Sequence, residues 1–275
     1  MSSVDLNDPP HPPRSVRWGP WKLQPQIEPI RRLKVLALHG FGGAPGELRP
    51  LGQVLRSHGF VTQALLLPGH GENLEQMAEI RLSDWTEAVQ SSYESLRQDG
   101  SPVVLLGFCL GGALALALSE TLRPRALCLL STPMSPFRDE LFPRVGGLRS
   151  LEKSINDSPS AEVRRWRGMG SHPMVPESFF EQYQDLLRQL SQHPPGVACP
   201  VLVAQSRSDS ITSPLDAERI VEAARGSRGK LIWSRRAGHA LPIDVGRREL
   251  FREIVVFLEA EEARVEPRFD YPQTS

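Results

Sequence analysis

Three cysteines in 275 residues are too few and too scattered for a disulfide framework, and Cys109, Cys128 and Cys199 lack the close spacing of a metal site. Charge of one sign is missing too. With 32 basic and 32 acidic residues the chain has no net charge, so no global field draws it to nucleic acid or to an anionic membrane. No apolar run reads as a membrane span: the longest, Pro102 to Leu118, is broken by Gly107, Gly111 and Gly112 and reads as a buried strand, turn and helix. No hydrophobic leader opens the chain, whose first residues are polar and proline-rich, and together with the cysteine usage this sets a reducing cytoplasm as the expected location. There is no internal repeat, and neither a metal nor an organic cofactor is expected. Length and composition allow one domain with a substantial core.

The most informative residues lie inside that apolar run. Val103 to Leu106 suits a fully buried parallel strand, and the segment from Gly111 to Leu118, GGALALAL, is rich in helix formers that can pack on a sheet. Between them stands Gly107-Phe108-Cys109-Leu110-Gly111, with a cysteine at the strand-to-helix corner. Such a corner needs small residues two places before and two after its centre, and both are glycine. The thiol would project above the sheet over a helix N-terminus, where free N–H groups favour a thiolate and a negative oxygen. Cys109 is therefore a candidate nucleophile, whereas Cys128, in the buried-looking run Ala126 to Leu130, and Cys199 read as inert packing residues.

A thiol nucleophile needs a base, and the base needs an orienting acid. Pro200 to Gln205 reads as a strand followed by the polar turn Ser206 to Ser210, which makes Asp209 the expected acid. Asp216 and Asp244 are its rivals. Asp216 falls in the first turn of a helix capped by Ser213 and opened by Pro214, where a carboxylate complements the dipole, and Asp244 follows the histidine. A strand from Lys230 to Trp233 then runs into Arg236-Ala237-Gly238-His239, a loop that can return an imidazole over the sheet, so His239 is the expected base. Upstream, the strand-like Leu33 to Leu38 ends in His39-Gly40-Phe41-Gly42-Gly43. There the backbone N–H of Phe41, with that of Leu110, is expected to form an oxyanion hole, and His39 reads as structural.

These residues carry a resemblance. His39-Gly40-Phe41-Gly42-Gly43, Pro68-Gly69-His70-Gly71, Asp84-Trp85, the corner at Cys109, Ser208-Asp209 and Gly238-His239 follow one another as in α/β-hydrolases of the bacterial carboxylesterase and monoacylglycerol lipase-like branch. The similarity runs from about Leu33 to Leu258. It implies a mostly parallel central sheet with helices on both faces, and a triad of Cys109, Asp209 and His239 under a small inserted lid. The chain departs from that branch at the nucleophile, which is Ser there. Phe108 to Ala115 resembles the corner of dienelactone hydrolases instead, and bacterial polyester synthases also use a Cys in a similar box. The rest of the chain fits neither group: dienelactone hydrolases place an acidic residue after the first core strand, where this chain has His39-Gly40-Phe41, and polyester synthases are considerably longer.

The expected organisation is a proline-rich extension over 1–30, a core over 31–132 and 197–262, a lid insertion over 133–196, and a loose tail over 263–275. The extension should be extended or partly disordered until Trp18 or Trp21 finds a surface. Helical stripes are expected at Leu48, Leu51 and Leu55, from Trp85 to Leu96, and from Leu250 to Leu258, with a strand over Phe60 to Leu67. The insertion should hold helices near 161–167 and 176–190 and roof the thiol. From it, Phe137, Trp166, Met169 and Met174 are the candidate substrate contacts, in company with Met134, Phe142, Phe179 and Phe180, while Arg164, Arg165 and Arg167 read as a solvated helix face.

The reading that follows is an ester hydrolase working through an acyl-enzyme on Cys109, with a small-molecule acyl ester or thioester as its partner. Three alternatives stay open: a thioesterase, an acyltransferase using the same Cys, and an attenuated hydrolase-fold binder of acyl ligands. The oligomeric state is not readable.

Overall fold

The computed structural model describes residues 19–25, 27–28, 30–161, 163–164, 172–224 and 226–265. Seven strands form one sheet in the order β1-β3-β2-β4-β5-β9-β10. They are β1 (Trp21–Leu23), β2 (Lys34–Leu38), β3 (Val61–Leu65), β4 (Val103–Phe108), β5 (Ala126–Leu130), β9 (Val201–Ser206) and β10 (Gly229–Ser234). All neighbours pair in parallel except β1, which runs antiparallel to β3. Every residue of β4, β5 and β9 is buried. A strand is buried throughout only when both faces of its sheet are covered, and the aliphatic runs read in the sequence meet that condition.

The helices between the strands, with one after the last strand, supply the cover. They are α1 (Arg49–Ser57), α2 (Leu74–Glu79), α3 (Leu82–Arg97), α4 (Leu110–Ala117), α5 (Ser119–Leu122), α8 (Pro214–Ala223) and α9 (Arg247–Glu262). Leu51 and Leu55 of α1, Trp85, Val89, Tyr93 and Leu96 of α3, and Leu250, Ile254, Phe257 and Leu258 of α9 are the buried stripes that helical spacing predicts. Ser213 caps α8 through its side chain, with Pro214 at the first helical position. Among the described residues no helix is long and apolar enough to cross a membrane.

Within the proline-rich segment at the start of the chain, β1 closes one edge of the sheet. Its Trp21 is buried, packs on Gly52 where any Cβ would collide with the indole, and donates from Nε1 to the Pro45 carbonyl at 2.9 Å. Trp18 lies outside the described residues. The segment between β5 and β9 has its own architecture: β6 (Arg144–Val145), β7 (Leu148–Ser150) and β8 (Met174–Pro176) form a small antiparallel sheet, with α6 (Glu152–Asn156) and the long α7 (Glu177–Gln192) around it. Arg149 locks this unit. It is buried, grips Glu177 through Nε at 2.7 Å and Nη2 at 2.8 Å, donates to the Phe142 carbonyl at 2.9 Å, and lies over the Phe180 ring. The helix expected near 161–167 falls largely outside the described residues.

Candidate active site

Register brings the two glycine-bearing turns together. Leu38 at the end of β2 stands opposite Gly107 in β4, and the Gly111 amide donates to the His39 carbonyl at 3.1 Å, so the loop after β2 lies against the corner after β4. A Cβ at Gly107 would collide with the Gly111 carbonyl, and one at Gly111 with the Leu38 carbonyl. Glycine at both positions is thus a packing requirement of the crossing. At the apex Cys109 takes φ 52° and ψ −112°, a positive φ that side chains other than glycine rarely adopt. Leu110 opens α4, where helix amides have no intrahelical acceptor. Among the described residues neither its N–H nor that of Phe41 donates to a backbone acceptor outside the regular helices and strands.

The two downstream loops converge on the same apex. His239 is fully buried, and its Nδ1 faces both carboxylate oxygens of Asp209 at 3.1 and 3.0 Å. Asp209 is fixed in turn by the amides of Ile211 and Thr212, each at 2.9 Å, and by Gln205 Nε2 at 2.8 Å. The rival carboxylates are engaged elsewhere. Asp216 accepts from the Met134 amide and from Ser135 Oγ, anchoring the start of the insertion, and Asp244 accepts from Ser158 Oγ and from the amides of Gly238 and Val245.

Among the described residues the opposite ring nitrogen, Nε2, is buried without a hydrogen-bond partner, on a histidine whose charge acts on the Cys109 thiol. Burial alone would lower the His239 pKa, but the charges of Asp209 and Cys109 and the hydrogen bond to Asp209 raise it to about 10. Burial likewise pushes the Cys109 thiol up, and the attraction of His239 with the hydrogen bond to Tyr183 brings it below its ordinary value. The two shifts favour a thiolate–imidazolium pair. The other cysteines have no such neighbours: burial raises Cys128 strongly and takes Cys199 up to about 11.

Two residues of the site were not expected from the sequence. Tyr183, on α7, sets its hydroxyl 3.3 Å from the Cys109 sulfur. Asp157, just after α6, accepts from the His239 amide at 2.8 Å and from Ser210 Oγ at 2.9 Å, tying the insertion to both downstream loops. His39 is structural, holding its own loop through the Gly40 carbonyl and the incoming chain through the Leu67 amide, and burial lowers it to about 4, which keeps it neutral. Among the described residues no group of three or more His, Cys, Asp or Glu side chains could hold a metal ion.

A cavity of about 10 Å³ remains around the thiol, lined on the insertion side by Phe137, Phe142, Leu151, Ser154 and Tyr183. That is room for about one water molecule. Phe137 lines this cavity, its main chain clasped on both sides by the Gln184 amide at 2.9 Å. Met174 does not line the cavity: on β8 it is Val175 that points into the buried side, leaving Met174 half-exposed. Phe179 and Phe180 are spent on packing, Phe179 against Phe41, His70 and Trp85, and Phe180 against Phe41, Phe142 and Arg149. Trp166 and Met169 lie outside the described residues, as do Arg165 and Arg167.

A mostly parallel sheet with a residue of positive φ at the corner after its central strand, and an acid and a histidine in the loops after two later strands, defines an α/β-hydrolase fold. The chain belongs to the alpha/beta hydrolase family, which matches it over residues 35–253. It is 26% identical over 228 residues to a carboxylesterase of Bacillus subtilis (strain 168), a match spanning 82% of this chain and 92% of that protein. It is 25% identical over 218 residues to a thermostable monoacylglycerol lipase of Bacillus sp. (strain H-257), covering 76% and 84%. A solved structure from work on the metagenome-derived lipolytic enzymes LipS and LipT superposes with a TM-score of 0.76 at 21% identity, covering 88% of this chain and 97% of that one, and shows the shared fold.

Proposed function

We propose that this protein hydrolyses carboxylic esters through a covalent acyl-enzyme on Cys109, with His239 as the acid and base and Asp209 as its orienting partner. The observation that carries the reading is the Asp209–His239 pair, hydrogen-bonded at 3.0 Å and charge-coupled to a thiol held at positive φ on a helix N-terminus. The similarity to a carboxylesterase and a monoacylglycerol lipase supports the substrate class. In this scheme residues 133–196 form the lid. A 10 Å³ cavity admits no ester, so the lid must open before a substrate binds.

The Cys109 thiolate adds to the carbonyl carbon, and the C=O electron pair moves to oxygen, where the Phe41 and Leu110 amides receive it. Collapse re-forms the carbonyl and expels the alkoxide, which takes the proton from His239 Nε2 and leaves as alcohol. Neutral His239 then draws a proton from water as the hydroxyl adds to the thioester, and collapse releases the acid and restores the thiolate–imidazolium pair. A resting pair of charges supports an enzyme over a passive binder. Its sulfur also makes the thioester a substrate for acceptors other than water, which keeps acyl transfer and thioester cleavage as variants of the same chemistry.

The test is turnover of a p-nitrophenyl ester series by the protein, by Cys109→Ser and by Cys109→Ala, with intact mass recorded during reaction. A transient acyl adduct and turnover that both vanish in Cys109→Ala are expected. Silence of the Cys protein beside an active Cys109→Ser would mean that sulfur attenuates an esterase scaffold, and silence in all three would sink the reading.

A further inference from the structure

We propose that Tyr183 is a catalytic residue of this site: its phenol donates a hydrogen bond to the Cys109 sulfur, holds the thiolate at rest and receives it again when it leaves the thioester. The inference rests on Cys109 being the nucleophile.

The geometry is direct. The hydroxyl lies 3.3 Å from Sγ, within hydrogen-bond reach of sulfur, across 74 residues of sequence. The Tyr183 ring is fully buried and clamped between Phe41, with centroids 5.0 Å apart, and Phe137 at 5.4 Å. Helix α7, which carries it, packs on α4, the helix that Cys109 caps. Clamping on both sides leaves the phenol little freedom to turn elsewhere.

The hydroxyl has no packing reason to be there. On α7 the buried stripe holds Phe179, Phe180, Leu186, Leu187 and Leu190 with one polar side chain, Gln184, which is spent on the Phe137 main chain, and phenylalanine at 183 would extend that stripe without burying a further polar group. Tyr93 shows the structural alternative, a phenol that points its hydroxyl at a main-chain carbonyl, that of Arg123. Tyr183 points at sulfur instead. Burial and the negative charges of Cys109, Asp209 and Asp216 hold its pKa well above the ordinary value, so it stays protonated and is the donor in the pair.

The other charged groups coupled to the thiol are His239, which stabilises the thiolate, and Asp209, which opposes it. Tyr183 adds a second donor from the opposite element. A resting thiolate is a full anion and gains from that donor, whereas a serine hydroxyl is neutral until it is attacking and gains little. Tyr183 therefore adapts a serine-shaped corner to sulfur. No proton is transferred in this role: the phenol releases sulfur as the S–C bond forms and donates to it again as that bond breaks.

Four proteins test this: the parent, Tyr183→Phe, Cys109→Ser and the double variant. The Cys109 pKa is read from the pH dependence of iodoacetamide alkylation, located by peptide mass, which requires no turnover. Loss of a hydrogen bond to a charged group should raise it by about one to two units in Tyr183→Phe. An unchanged pKa overturns the proposal. Ester turnover supplies the second reading, with a loss of about tenfold or more expected in the Cys background and less than about twofold in the Ser background. Equal losses in both backgrounds would mean that Tyr183 only packs. Should Tyr183→Phe fail to fold, the parent sequence made with 3-fluorotyrosine gives a more acidic donor and should lower the thiol pKa, and no change there also overturns the assignment. If no protein turns over esters, the hydrolase reading fails while the thiol pKa still decides the role of Tyr183.

Discussion

Replacing Asp209 by Asn tests the electrostatics of the site at one atom. The carboxylate accepts hydrogen bonds from four donors: the Ile211 and Thr212 amides, Gln205 Nε2 and His239 Nδ1. Asparagine can keep the two amide bonds with its oxygen, which also lies 3.1 Å from Nδ1, but its NH₂ takes the place of the oxygen that faces Gln205 Nε2 and lies 3.0 Å from Nδ1, and this favours an imidazole that presents a lone pair there and carries its proton on Nε2. A histidine in that tautomer cannot serve as base to the thiol, so ester turnover should fall by about a thousand- to ten-thousand-fold. The stability consequence follows from the pKa of His239, raised from 6.5 to about 10. A raised histidine contributes stability that is fully present below 6.5 and is lost as pH rises through about 10, which amounts to about 4 kcal/mol at neutral pH for the whole shift. Cys109 supplies part of that shift and asparagine keeps two bonds, so the expected loss in Asp209→Asn is about 2 kcal/mol. Asp209 itself is held below 3.8, so its contribution is present above 3.8 and lost as pH falls through its folded value. The stability gap between parent and variant should therefore be widest between 3.8 and 6.5 and narrow on both sides. Urea unfolding across pH measures it, with Cys109 alkylation as a parallel reading. A variant with an unshifted alkylation profile, a flat gap and less than about a tenfold loss of turnover would refute the coupling of these three groups.

Gly111→Ala should be among the most damaging small changes in the chain, because the added methyl meets the Leu38 carbonyl and prises the loop after β2 from the corner. Overpacking of this kind costs about 1–3 kcal/mol, against near neutrality expected for Gly196→Ala, whose methyl would meet only Glu120 Oε1 at 3.5 Å, and thermal melts of the two variants compare them. Phe137→Ala should raise kcat/KM for long-chain over short-chain esters. Phe137 and Ile211 line both the thiol cavity and an outer hollow of about 310 Å³, so removing the ring joins the two. An unchanged chain-length ratio would show that the ring does not limit acyl length.

The sequence was most legible where covalent geometry leaves little choice. Gly107 and Gly111 mark the corner because no Cβ fits there, and the aliphatic runs of β4, β5 and β9 announce strands covered on both faces. Of the three aspartates it is Asp209 that faces His239, while Asp216 accepts from Met134 and Ser135 and Asp244 from Ser158, partners more than 80 residues away that chain position alone does not reveal. Short elements were harder to see. The three-residue β1 and the strands of the small sheet hold too few residues for a period to show, and α2 is marked by its Asn73 capping box more than by any apolar stripe. Tyr183 was invisible for another reason. In one dimension it completes the apolar stripe of α7, and only the fold places its hydroxyl beside a sulfur 74 residues away. Met174 stands off the thiol cavity because adjacent strand residues face opposite ways, and Val175 has the inward face.

The backbone at Cys109 bears on how such a site persists. A side chain at φ 52°, ψ −112° costs about 1–3 kcal/mol relative to glycine, whose backbone is at ease there. Glycine at position 109 would relieve that strain, at the loss of the thiol, its core packing and its contact with Tyr183. In the acyl-enzyme chemistry proposed above, the reactivity of the thiol is what offsets the strain of its backbone.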